Sequence, residues 1–94
     1  MITKSTPGKF IVSDAPNVEQ LFTGSIGGIG LVITVSDTNV SDIYVSLSPN
    51  VSYTDNKGRR LKPGSTAYVR TNNINKVYCS GGTNGDWFSY DYEG

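Results

Sequence analysis

The chain has 94 residues, eight basic and eight acidic side chains that cancel, one cysteine and no histidine. That length makes one domain with a small core, because a chain of this size buries only roughly 60–65% of its unfolded surface. With no net positive charge to neutralise phosphates, nucleic acid is not an expected partner. The longest apolar stretch, Ile26–Val35, is short and broken by glycines, so no membrane span is expected.

Catalysis is bounded by what is missing. Without histidine there is no ordinary general base near neutral pH and no Ser–His or Cys–His nucleophile. One cysteine and no histidine exclude a zinc site, and no cofactor is expected. Cys79 has no partner for an internal disulfide, so the fold does not need an oxidising compartment. Gly, Ser, Thr and Asn make up 39 of the 94 residues, whereas Ala, Leu and Glu are scarce. Ser, Thr and Asn bond their own backbones and favour turns or extended chain, so the composition is helix-poor.

Met1–Lys9 is polar, holds one Pro and one Gly, and reads as a flexible N-terminal arm without the apolar segment of an export signal. Residues 10–94 then form a single β domain. Phe10–Ser13 is a short strand and Asp14–Asn17 a turn. Val18–Gly24 is a strand rather than a helical turn, since Gly24 follows too soon. Gly24–Gly30 resembles a phosphate-cradling loop only in glycine content: no helix and no Lys follow, so it reads as a mobile connection.

From Leu31 the alternation is plain. Leu31, Ile33 and Val35 face inward against Val32, Thr34 and Ser36, and Ile43, Val45 and Leu47 face inward against Tyr44, Ser46 and Ser48. Asp37–Asp42 between them is a polar loop, and Pro49 ends the second strand. Gly58 supplies a positive φ, and Pro63-Gly64 suits a type II turn. Ala67 and Val69 alternate with Thr66, Tyr68 and Arg70. After a polar Thr71–Asn75, Val77 and Cys79 alternate with Tyr78. Asn84-Gly85 suits a primed hairpin turn, and the last strand, Asp86–Tyr92, carries Phe88, Tyr90 and Tyr92 on one face and Trp87 on the other. Short strands at this spacing predict an all-β fold, a small antiparallel β-sandwich or jelly-roll-like barrel.

Several groups invite a chemical reading. Asp37 with Asp42, or Asp86 with Asp91 and Glu93, are carboxylate pairs of the kind a glycosidase needs, but each lies in a loop or on a polar strand face where carboxylates are commonplace. Asp37, Asn39 and Asp42 offer calcium-ligating oxygens without EF-hand spacing, and a solvated turn is the plainer reading. Asn39-Val40-Ser41 and Asn50-Val51-Ser52 match glycosylation sequons by coincidence of composition. Lys57, Arg59, Arg60 and Lys62 read as a solvated hairpin tip, and Cys79 as a small buried hydrophobe. The sharper signal is aromatic. Tyr44, Tyr68, Tyr78 and Trp87 fall opposite the inward residues of their own strands, and together form a candidate partner interface, unless other segments cover them.

The run ITVSDTNVSDIYVSLSPNVSYTDNKGRRLKPGSTAYVR, followed by NKVYCSGGTNGDWFSYDYEG, resembles a layout found in small bacteriophage virion proteins. A strand leads through an Asn/Ser/Asp loop to an "IYV" strand and a variable hairpin. The G-x-x-L-x-P-G turn Gly58–Gly64 follows, then a strand, a "KVY" strand, a Gly-rich turn and a final aromatic strand. The likeness covers about two-thirds of the chain. It implies a non-catalytic structural protein of the head decoration (cement) type, with a β-sandwich or jelly-roll core. Its partners would be the major capsid protein or another virion protein, and its own copies in a homo-oligomer. Its place would be the virion, assembled in the host bacterial cytoplasm. The N-terminal arm, with Thr3, Lys4 and Lys9, is then the candidate attachment element. A carbohydrate- or receptor-binding module on a phage fibre, with Asp86 or Asn84 assisting the aromatics, is the alternative; a small tail or head–tail junction component is another.

Overall fold

The computed structural model of the chain describes residues 5–93. Among them run eight strands: β1 (Ser5–Ile11), β2 (Val18–Gln20), β3 (Gly30–Val35), β4 (Ile43–Ser46), β5 (Arg59–Leu61), β6 (Thr66–Arg70), β7 (Tyr78–Gly81) and β8 (Trp87–Glu93). They form two four-stranded sheets, ordered β1-β8-β3-β6 and β2-β7-β4-β5, with every paired neighbour antiparallel. Consecutive strands thus alternate between sheets for most of the chain, in the order of an eight-stranded jelly roll.

The alternation read from the sequence builds the core. Leu31, Ile33 and Val35 of β3, Phe88 and Tyr92 of β8, and Phe10 of β1 point in from the first sheet. They meet Ile43, Val45, Leu61 and Cys79 of the second, and Val12, Leu21, Ile74 and Val77 fill the ends. Phe10 stacks on Phe88 with ring centres 5.2 Å apart. Each fully buried aliphatic or aromatic side chain contributes about 1.5–3 kcal/mol through the water it leaves.

Residues 5–9, expected within an arm, run as strand instead. β1 pairs with β8 in unbroken register from Ser5↔Glu93 to Ile11↔Trp87. Pro7 and Gly8 suggested flexibility, yet neither opposes a strand here. Val12 sends its N–H to the Asp86 carbonyl and receives the Gly85 N–H, both at 2.8 Å. By alternation the even-numbered residues of β1 bond toward β8, and Pro7, which has no N–H, faces the outer edge. Gly8 sits opposite Tyr90, whose ring occupies the space a Cβ would need. Of the candidate arm residues, Lys9 lies in β1; Thr3 and Lys4 lie outside the described residues.

Other expectations meet local corrections. Leu47 does not face the core: β4 ends at Ser46, whose Oγ accepts the Ser48 N–H at 3.2 Å and turns the chain, leaving Leu47 50% exposed. Gly64 (φ +80°), with Ser65 N–H on the Lys62 carbonyl, makes the expected type II turn. Gly85 also has positive φ (+95°), but Asn84 does not, so residues 83–86 follow the type II pattern and not the primed one.

Gly24–Gly30 is tied down rather than hanging between strands. The Gly28 and Ile29 N–H groups donate to the Asn72 and Glu93 carbonyls, and the Asn73 side chain accepts from Ile26 N–H and donates to Ser25 Oγ. The same Asn73 caps a short 3-10 turn, Ile74–Lys76, that brings Ile74 into the core within what reads as a polar loop.

Candidate functional site

The four candidate aromatics do not form one patch. Period-2 alternation places each on the outer side of its own strand, but the strands belong to sheets whose outer faces look in opposite directions. Tyr68 (β6) and Trp87 (β8) are on the first sheet. Counting across the register from Tyr68 through Val32 to Asp91 and then along β8, they stand at opposite corners, roughly 16 Å apart at standard strand spacings. Tyr44 (β4) and Tyr78 (β7) are on the second sheet.

Tyr44 is also covered. Tyr53, from the loop after β4, packs edge-on against it at 5.9 Å and 80°, and the Tyr44 hydroxyl donates to Asn56 Oδ1 at 2.8 Å, leaving Tyr44 5% exposed. Tyr78 is half-buried. Trp87 is half-buried too, and the Lys9 ammonium sits 4.2 Å from its ring centre. Such a contact is a cation–π attraction. Only Tyr68, 45% exposed, presents a largely open surface.

The Asp37–Asp42 loop is structural. Asn39 behaves as a further rung of β3: its Nδ2 donates to the Trp87 carbonyl and its Oδ1 accepts the Trp87 N–H, both at 2.9 Å. Asp86, 4% exposed, accepts the Val40 and Ser41 N–H groups through its two oxygens, also at 2.9 Å each. Asp42 faces Arg60 at 2.5 Å, an ion pair that raises the Arg60 pKa through the hydrogen bond and the opposite charge. Of the oxygens that suggested calcium or a carboxylate pair, those of Asp42 and Asp86 are thus committed elsewhere, and Asn39 is engaged on both sides of its amide. Asn84, offered as a sugar-binding amide, accepts the Ala15 N–H at 2.8 Å. No cluster of three metal-ligating side chains occurs among the described residues. Cys79 is buried, and that burial, with Glu19 nearby, pushes its thiol well above the ordinary range; it is no nucleophile at neutral pH.

The surface carries shallow depressions of about 300–460 Å³. One holds Asp42, Tyr44, Tyr53, Asn56 and Arg60. Another runs between the end of β4 and the outer edge of β6, lined by Val45, Leu47, Arg59, Tyr68, Val69 and Arg70. Across it, Arg59 Nη1 donates to the Tyr68 carbonyl at 2.9 Å. Sequence reading missed this groove because Leu47 counted as core and Arg59 as part of a solvated tip. Pro49 placed the end of the strand too late: β4 stops at Ser46, where the Ser46 hydroxyl accepts the Ser48 N–H, and Leu47 lies beyond it.

Among the described residues, the outer face of the first sheet is four strands wide and has no loop fastened over it as the second sheet does. It presents Ile11 (51% exposed) beside Trp87 at one corner and Tyr68 at the other, with Lys9, Ser89, Asp91, Val32 and Thr34 between. No known protein family, curated protein or solved structure matches the chain.

Proposed function

We propose that the chain is a non-catalytic structural protein of a phage particle, a capsid decoration protein that docks on the capsid lattice through the outer face of its first sheet. The observation that carries the contact role is that face: broad, shallow and mixed in chemistry, with Ile11 and Tyr68 half exposed at its corners. Such a surface suits a flat macromolecular contact better than a small ligand, which favours a concave, mostly apolar cleft. The phage assignment rests on the likeness of the Ile33–Gly94 layout to small virion proteins. The jelly-roll topology supports it by analogy only, since that fold recurs in viral coats and also in lectins and cupins.

The test is stoichiometry and position in purified particles. Copies in the hundreds spread over the shell support decoration; a few at one vertex would move the protein to a tail or junction. Ile11→Asp, on an exposed outer position, should then lower shell occupancy without unfolding the chain. Full occupancy of that variant would remove the first sheet's outer face from the interface.

A further inference from the structure

Four strands end the two sheets, and three of them are poorly suited to accept another strand. β2 and β5 are three residues each. β1 places Pro7 at its outer edge, where the N–H that pairing needs is absent. Short edges and edge prolines are how sheets avoid unwanted partners.

β6 is different. It runs five residues without proline and, among the described residues, pairs only with β3. Ser65 and Thr71, which flank it, bond inward to Val35 and Ile29, so by alternation Thr66, Tyr68 and Arg70 turn their N–H and C=O groups outward. Of those outward groups, the Tyr68 carbonyl is taken by the Arg59 guanidinium at 2.9 Å. Among the described residues, the remainder form an open ladder. Beside it lies the groove floored by Leu47 and Val69, with Arg59 and Arg70 exposed on its walls. The ion pair present among the described residues joins Arg60 to Asp42 and involves neither arginine.

We propose that β6 accepts an extended acidic segment of a partner protein as an added strand of the first sheet. The ladder supplies main-chain hydrogen bonds, the Leu47–Val69 floor takes alternate apolar side chains, and Arg59 and Arg70 select carboxylates on the segment. Arg59 now fills one acceptor that an incoming N–H would take, and it swings onto an incoming carboxylate. Charge argues for a foreign strand over a second copy, because pairing β6 with itself across a two-fold axis gathers both copies' Arg59 and Arg70 along one seam. The inference rests on this edge and is independent of the phage assignment and of the sheet's outer face.

The experiment is an NMR titration of the isotope-labelled full chain with acetylated, amidated peptides that alternate Val with Glu, with Val with Lys, and with Glu around a central Pro. The expected result is amide shifts confined to Thr66–Arg70, Leu47 and Arg59 for the Glu peptides, and none for the Pro peptide. Arg59→Glu with Arg70→Glu should reverse the preference from Glu to Lys peptides, each affinity moving about tenfold or more. The paired exposed substitutions are checked by an unchanged spectrum elsewhere. Equal binding of Lys and Glu peptides by the native chain overturns the proposal. So do shifts along β1 or β2, no shift up to about 1 mM peptide, or a concentration-dependent dimer whose contacts map to β6. Absence of the native chain from the capsid shell, with peptide binding intact, would instead count against the decoration reading alone.

Discussion

The two sheets solve the same packing problem with different means. The first is built from strands of five to seven residues, whose register runs unbroken across β1, β8 and β3. The second uses strands of three and four residues and borrows its strength from side chains. Ser80 of β7 shows how. Although it points away from the core, it is 1% exposed: its hydroxyl donates to the Pro16 carbonyl and accepts the Tyr53 N–H, both at 2.8 Å. Two loops are thereby fastened over the second sheet's outer face, one of them bringing the ring that covers Tyr44. A long ladder leaves its outer face open for contact; a short one is lidded by the segments that hold it.

The comparison breaks most visibly through the shared core. Phe88, fully buried on β8 and stacked on Phe10, should cost about 3–5 kcal/mol when cut to alanine. A domain this small has little more than that to lose, so urea unfolding should shift to very low denaturant. A loss below about 1 kcal/mol would mean that β8 is not the centre of the first sheet.

A smaller effect separates the sheets. Ser80→Ala leaves the Pro16 carbonyl and the Tyr53 N–H without their shared partner and should cost about 1–3 kcal/mol. Hydrogen exchange should quicken at Tyr53 and along β7 while β3 and β8 keep their protection. Uniform loss across both sheets would show that the second has no separate weakness. Cys79 reports on the same question without any substitution. Buried on β7 and held as the thiol, it should resist a maleimide until the molecule opens. Labelling at the rate of global unfolding means that the sheets open together; faster labelling means that the second opens first.

These contrasts were only partly legible in the amino acids. Alternation in Leu31–Val35 and Phe88–Tyr92 revealed strands and their inward faces, because a period of two survives any arrangement of the sheets. It says nothing about which sheet a strand joins, and so Tyr44, Tyr68, Tyr78 and Trp87 read as one patch although they divide between opposite faces. Polar side chains were the other gap. Asn39, Asp86 and Ser80 look like loop and surface residues in the sequence; each serves a backbone group from a segment 27–64 positions away, or both. The arm was misjudged at residues 5–9 because Pro7 and Gly8 carry a local preference that the register with β8 overrides. The edge of β6 was invisible for a related reason: an edge exists only once the sheet order is known.

The smallest effect concerns a buried side-chain oxygen of the first sheet that has no partner among the described residues. Tyr92 is fully buried, and among the described residues its hydroxyl has no hydrogen-bond partner; the nearby Ile74 N–H already serves the Ile26 carbonyl at 3.3 Å. Burial raises the Tyr92 pKa, a shift the Ile74 amide only partly offsets. The unfolded chain releases this proton near pH 10 while the folded one holds it, so the folded state binds more protons and stability falls as pH rises above about 10. Below that range the group contributes no pH dependence. Tyr92→Phe removes a polar atom that nothing satisfies, so at neutral pH its stability should stay within about 1 kcal/mol of the native chain. Above pH ~10 the variant should become the more stable of the two, because only the native chain still resists losing that proton. Tyr90, whose pKa burial also raises, keeps part of the alkaline decline in both. Urea midpoints at neutral and alkaline pH read the difference directly. A large loss for Tyr92→Phe at neutral pH would mean that the hydroxyl has a partner after all, and the first sheet would then need polar ties as the second does.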